Sequence, residues 1–181
     1  ERPDYLAADL RSLYARADIL RVEPRTAWRI DISASDVVVH ATGQDRGDAL
    51  SDALASHDLG HVRRSQGETP GPSQSVWLAD TMGEMALWFA IAPVSLIAGS
   101  LIDGIGGHNP VEATQGGSAV LTGPYTASFD DVFDSYEAHD ALVRTSNAED
   151  VSAAVTSVWE GASDTVPAAR QAVTALSSGA L

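Results

Sequence analysis

The sequence predicts an α/β fold, a Rossmann-like parallel sheet with helices on both faces. Three observations carry the prediction. Apolar strands and helical segments alternate about five times, at the spacing of a doubly wound sheet. The first clear strand, Asp36 to Ala41 (DVVVHA), is apolar without alternation, as suits a parallel strand covered on both faces. Two strand-to-helix turns carry glycine, at Gly83 and at Gly106-Gly107, the place where ligands sit beyond the carboxyl ends of such strands.

In chain order, Tyr5, Leu6, Leu10, Leu13 and Tyr14 recur near every 3.6 residues and predict a helix over Glu1 to Asp18. Ile19 to Ser35 has a mixed signal. Pro24, Trp28 and the short run Ile30 to Ile32 point to irregular chain with an edge strand, so residues 1–35 are expected as an N-terminal helix and irregular segment. After the strand Asp36 to Ala41, a loop leads into a helix over Arg46 to Asp58, with Ala49, Leu50, Ala53 and Leu54 on one stripe and Gly60 as its stop. His61 to Ser65 is a short strand carrying Arg63 and Arg64. His57 and His61 are four apart, but the change from helix to strand denies them a common face, which argues against a metal pair.

Gln66 to Ser75 (QGETPGPSQS) reads as a loop, and Val76 to Ala79 restarts a strand. The turn Asp80-Thr81-Met82-Gly83-Glu84 then opens a helix to Ile91. That helix is almost wholly apolar and is expected to be buried between the sheet and other helices. Thr81 or Asp80 as cap with Glu84 fits a capping box; the alternative is that this helix start meets a ligand.

The stretch Ala98 to Pro124 organises the rest. A strand (Val94 to Ala98) runs into a glycine-rich loop (Gly99 to Gly107), a short helix opening at Asn109-Pro110, and a second strand (Ala119 to Thr122). Gly104, Gly106 and Gly107 permit a sharp turn and close approach by another molecule, while Asn109 and Pro110 suit the N-cap and first helical positions. Free amides and the dipole at such an end favour a phosphate. Glu112, near the mouth, can accept hydrogen bonds from sugar hydroxyls. The pattern fits a nucleotide with its phosphate on amides and its ribose on an acid. It fits equally a capped helix end that binds nothing. Beyond it, Phe129, Val132, Phe133 and Tyr136 stripe a helix, Ala141 to Thr145 is a strand, Asn147 to Glu160 is an amphipathic helix capped by Asn147, and Thr165 to Leu176 closes the chain as a helix entered at Pro167.

Composition narrows the function. A formal charge of −14 argues against a nucleic-acid surface, which needs clustered cations. Repulsion of an anion is screened beyond about 8 Å at physiological salt, so a local phosphate site is still open. With 44% hydrophobic residues and a mean hydropathy near zero, the 181-residue chain is expected to be one soluble domain. The longest apolar run, Met85 to Ile97, is broken by Pro93 and too short to span a bilayer. Beginning at Glu1 without a leader pattern, the chain is expected to be processed or a piece of something longer. The absence of cysteine excludes disulfides and thiolate metal sites and leaves the cytoplasm as the default compartment. No nucleophile constellation, Walker lysine or metal-ligand set is legible, so no residue is assigned as catalytic or metal-binding and no cofactor is expected. A dinucleotide oxidoreductase is disfavoured because no Gly-x-Gly-x-x-Gly follows the first strand.

VWLADTMGEMA (Val76 to Ala86), APVSLIAGSLIDGIGGHNPVEATQGGSAVL (Ala92 to Leu121) and Gly123-Pro124 together closely resemble the C-terminal donor-binding lobe of 3-deoxy-D-manno-octulosonic acid (Kdo) transferases, which are two-lobed GT-B glycosyltransferases. Arg46-Gly47-Asp48 and Val62-Arg63-Arg64-Ser65-Gln66-Gly67 are similar to that family's approach to the same motif. The resemblance covers roughly Asp36 to the C-terminus. It implies a single lobe of a GT-B fold over residues 36–181, serving transfer of Kdo from CMP-Kdo to lipid A in lipopolysaccharide biosynthesis.

By that resemblance Met82, Gly83 and Glu84 border the nucleotide, Gly106 and Gly107 make room for it, and Asn109 and Glu112 bind its phosphate and ribose region. Two departures stand out. Where the family carries Pro-Arg-His-Pro-Glu-Arg, this chain has Ala41-Thr42-Gly43-Gln44-Asp45-Arg46, so Arg46 alone keeps a cationic donor contact. The N-terminal lobe, with the family's glutamate base and acceptor surface, is not in these 181 residues, and Glu1 to Ser35 does not resemble it. The isolated chain is therefore expected to bind a nucleotide sugar weakly and to need an N-terminal lobe, in the same gene or a separate chain, for transfer and for any peripheral contact with the inner face of the cytoplasmic membrane. The alternative is a non-catalytic relative acting as an interaction or regulatory module.

Overall fold

The computed structural model describes residues 28–32, 37–41, 44–68, 70, 74 and 76–179. The helix expected over Glu1 to Asp18 lies outside them.

Seven strands form one sheet: β1 (Trp28–Ile32), β2 (Val37–Ala41), β3 (His61–Arg63), β4 (Val76–Ala79), β5 (Val94–Ile97), β6 (Ala119–Thr122) and β7 (Val143–Arg144). Their order is β3-β4-β2-β1-β5-β6-β7. β3, β4 and β2 pair in parallel, as do β5, β6 and β7. β1 is antiparallel to both neighbours, with Ile30 opposite Val39 on one side and Leu96 on the other. Six strands thus point one way and one points back. The run Ile30 to Ile32, expected as an edge strand, lies instead in the middle of the sheet. Its central place follows from its partners: β2 and β5 each pair in parallel on one side and leave the other side open, and β1 satisfies both.

Among the described residues six helices cover the sheet: α1 (Gln44–Ser56), α2 (Met85–Ile91), α3 (Val111–Gly116), α4 (Asp130–Ala138), α5 (Ala148–Trp159) and α6 (Val166–Ser178). On one face Leu50 and Leu54 of α1 and Val151, Ala154 and Val155 of α5 pack on Val39, Val76, Leu78, Val94, Leu96 and Leu121. On the other, Phe89 of α2, Ala113 of α3, Tyr136 of α4 and Ala169 and Ala172 of α6 pack on Ile97 and Val120. Successive residues Val120 and Leu121 feed opposite cores, the period of two that a doubly covered strand requires. Each fully buried leucine, such as Leu50 or Leu54, contributes about 1.5–3 kcal/mol relative to exposure. Helices on both faces match the sequence reading.

Local signals decide the helix ends. Asn147 caps α5, its Oδ1 accepting from the Asp150 amide at 2.8 Å. α1 ends at Ser56, and the chain turns away at Asp58 rather than at Gly60: Asp58 takes a left-handed φ of 57°, and the Leu59 amide donates back to the Leu54 carbonyl at 3.0 Å. α2 is not buried all round. Trp88 and Phe89 face inward, while Leu87 and Ile91 remain 48% and 40% exposed because the sheet and α3 cover only the inner side of this outer-layer helix.

Candidate functional site

The six parallel strands share a carboxyl edge, so the segments after β2, β3, β4, β5 and β6 emerge on the same side of the sheet. From β4 the chain crosses past β2 and β1 to β5. That reversal opens the kind of crevice in which α/β sheets place ligands.

β3 and β4 are parallel neighbours with Arg63 opposite Leu78, so the residues just beyond them meet. Asp80 has no exposed side-chain surface and accepts from Arg63 Nη2 at 2.7 Å, Arg63 Nε at 2.8 Å, the Ser65 amide at 2.8 Å and the Ser65 hydroxyl at 2.7 Å. Arg63 also donates to Asp48 of α1. A β-carbon on Gly47 would lie 2.7 Å from both Asp80 Oδ2 and Arg63 Nη2, so the first turn of α1 reaches the pair only because residue 47 is glycine. Burial alone would raise the Asp80 pKa, but the two Ser65 bonds and the Arg63 charge outweigh it and hold the carboxyl below its ordinary value.

Arg64 and Glu84 repeat the pattern nearer the surface. Arg64 Nη2 donates to Glu84 Oε1 at 2.8 Å and Arg64 Nε to Oε2 at 3.2 Å, and the Thr81 hydroxyl donates to the same Oε2. These bonds, Arg64 first, keep the Glu84 carboxyl below its usual range. The capping box does not form. Glu84 itself occupies the N-cap of α2 without a side-chain cap, and both carboxylates turn to arginines, each of which answers with two nitrogens. Between Thr81 and Glu84 the turn projects outward: Met82 is 72% exposed, and Gly83 has a φ of 84° with open space where a β-carbon would stand.

The second turn follows β5. A 3-10 turn over Ala98–Leu101 is tied down by Ser100, whose hydroxyl accepts from the Gly123 amide at 2.6 Å. Gly106 and Gly107 have φ of 81° and 77°. The β-carbon position of Gly106 is not open: it runs into the Ser128 side chain, whose amide donates to the Gly106 carbonyl at 2.9 Å. The expected room for another molecule is thus used, on that side, by the chain's own Ser128. The His108 ring lies against Gly99, and the partial desolvation of that ring lowers the His108 pKa although the residue is exposed as a whole. Pro110, not Asn109, takes the N-cap of α3, and Asn109 Oδ1 accepts from the Val111 amide at 3.0 Å. The helix starts one residue later than expected because its first backbone bond runs from the Thr114 amide to the Pro110 carbonyl, at 3.2 Å. Asn109 and Glu112 are both exposed.

No protein-family model matches the chain. It is 38% identical over 104 residues to 3-deoxy-D-manno-octulosonic acid transferase of Bordetella pertussis, covering 57% of this chain and 24% of that protein. To the enzyme of the same name from Haemophilus influenzae it is 35% identical over 89 residues, covering 49% and 21%. The crystal structure of the C-terminal CMP-Kdo binding domain of WaaA from Acinetobacter baumannii superposes with a TM-score of 0.68 at 28% identity, covering 71% of this chain and 68% of that one. Over these stretches the chain is similar to Kdo transferases and, in fold, to the C-terminal domain of one of them. The matched stretch spans about a quarter of the length of these relatives.

The structure groups the site residues expected from the Kdo transferase resemblance on three segments of one sheet edge. Met82, Gly83 and Glu84 share the turn after β4; Gly106, Gly107, Asn109 and Glu112 lie on the loop and helix after β5; Arg46, half-buried, sits in the first turn of α1 after β2. Sequence reasoning gave no role to the anchors of these segments. From sequence Asp80 reads as a cap candidate, Arg63, Arg64, Ser65 and Ser100 only as parts of the Kdo transferase likeness, and Ser128 has no role. The available signal was the adjacent arginine pair, in a chain with only 11 basic residues, beside a strand that ends in Asp-x-x-x-Glu. His61 has a structural place: its Nδ1–H donates to the Leu59 carbonyl at 3.1 Å, leaving Nε2 to accept from the Ser51 hydroxyl at 2.7 Å. Among the described residues no group of three or more His, Asp or Glu is placed to hold a metal.

Proposed function

We propose that residues 36–181 are the donor-binding lobe of a Kdo-transferase-like glycosyltransferase, holding CMP-Kdo or a similar nucleotide sugar. Transfer of Kdo to lipid A in lipopolysaccharide biosynthesis would require an N-terminal lobe, in the same polypeptide or another, to supply the base and the acceptor surface. The observation that carries this reading is the likeness, in fold and sequence, to a domain described as binding CMP-Kdo. In this reading Asn109 and Glu112 meet the phosphate and ribose region, Met82 and Gly83 border the nucleotide, Glu84 belongs to the same wall, and Gly106 and Gly107 shape the loop beneath it. Arg46 adds a positive charge at the start of α1. No helix among the described residues is long and apolar enough to cross a membrane. In this reading, work at the inner face of the cytoplasmic membrane belongs to the other lobe.

One observation favours a second reading, a non-catalytic relative serving as an interaction or regulatory module: of the family's basic stretch that matches Ala41 to Arg46, only Arg46 remains. Asn109→Ala and Glu112→Ala separate the two. Both residues are exposed, so the donor-lobe reading expects loss of CMP binding with Tm nearly unchanged. CMP affinity unaltered by either substitution would overturn these assignments.

A further inference from the structure

We propose that Arg64 is a positioning residue for nucleotide-sugar binding: it grips Glu84, which thereby serves as the anchor of the turn 81–84, and the turn meets the ligand through the Met82 side chain and the Met82-Gly83 backbone. The proposal rests on the donor-lobe reading and assigns the roles within it.

Three observations support it. First, both Glu84 oxygens are already engaged, by two nitrogens of Arg64 and by the Thr81 hydroxyl, so the carboxylate faces its own chain. Second, the grip spans the turn: Thr81 at its start and Arg64 from the neighbouring strand end converge on Glu84 at its close, while Asp80, one residue earlier, is locked by Arg63 and Ser65. A turn fixed at both ends holds its middle in one conformation. Third, the middle is what projects. Met82 is 72% exposed, and Gly83 presents bare backbone with no heavy atom within 4 Å of its β-carbon position. An exposed thioether beside uncovered backbone suits the flat, polarisable face of a nucleobase or the edge of a ribose. The planar two-nitrogen fork also explains why arginine stands at position 64, since a lysine ammonium offers no matching pair of parallel donors.

The test uses the 181-residue chain, with hydrogen–deuterium exchange of a peptide spanning 80–87 and calorimetric titration with CMP. Arg64→Gln is expected to speed exchange in that peptide about fivefold, the worth of a partly exposed ion pair, without altering exchange in β5 or α5, and to weaken CMP by a similar factor. Glu84→Gln should do the same, and the double variant no more than either alone. The exchanged pair Arg64→Glu with Glu84→Arg should recover much of both, whereas Arg64→Lys should not. Met82→Ala should weaken CMP and leave exchange unchanged. Loss of CMP binding in Glu84→Gln with normal exchange and normal binding in Arg64→Gln would make Glu84 a direct ligand and overturn the proposal. If the unaltered chain binds no CMP, the donor-lobe reading fails by itself; unchanged exchange in Arg64→Gln then overturns the grip, and faster exchange leaves the grip standing without its ligand role.

Discussion

Asp80 and Arg63 meet in a two-point contact, Nη2 at 2.7 Å and Nε at 2.8 Å, with the Asp80 side chain wholly buried and the Arg63 side chain 13% exposed. This pair ties the ends of β3 and β4 together, and through Asp48 it also holds the first turn of α1. Asp80→Asn keeps the shape but leaves a largely buried cation facing a neutral amide. We expect a loss of about 3 kcal/mol, the lower end for breaking such a pair, because Asp48 still faces Arg63. Urea unfolding followed by circular dichroism measures it.

The same carboxylates set the acid limit. Asp80 and Glu84 both titrate below the ordinary carboxylate range in the folded chain, so the unfolded chain binds more protons as pH falls. Their contribution is complete above about pH 5 and disappears as pH drops through the folded-state values. The slope of stability against pH below 5 should be shallower in Asp80→Asn than in the unaltered chain; parallel curves would remove Asp80 from the account.

How much of this was legible beforehand depended on sequence distance. β5 and the glycine turn after it could be read because Val94 to Gly107 carries its own apolar run and its own punctuation. β1 could not be placed, since its position is defined by β2 on one side and by β5, more than sixty residues away, on the other. The glycine at 106 was visible, but the reason for it was not: Ser128, which fills the space, belongs to the turn leading into α4. Arg63 and Asp80 are 17 residues apart, and only the parallel register of β3 and β4 brings them together.

Gly106→Ala tests that hidden reason. A left-handed φ costs alanine about 1–2 kcal/mol, and the clash with Ser128 adds to it. Adding Ser128→Gly should return the side-chain part of the clash and leave the backbone cost, with the residue-128 amide nitrogen still 3.0 Å from the added β-carbon. A double-mutant cycle showing no coupling between the two positions would contradict the contact.

Two buried threonines should respond in opposite directions. Thr122 Oγ1 is buried without a hydrogen-bond partner, so Thr122→Val is expected to stabilise by about 1 kcal/mol. Thr114 Oγ1 bonds the Tyr136 hydroxyl at 2.6 Å inside the core, and Thr114→Val would orphan that hydroxyl at a cost of about 2 kcal/mol. Thermal melts of both variants decide the matter.

The central claim is that this lobe recognises a cytidine nucleotide. Calorimetric titration of the purified chain with CMP, using UMP and NAD as controls, tests it most directly. The account predicts heat of binding with CMP alone, abolished in Glu112→Ala. Equal binding of all three nucleotides, or of none at about millimolar concentration, would contradict it and favour an interaction module built on the same fold.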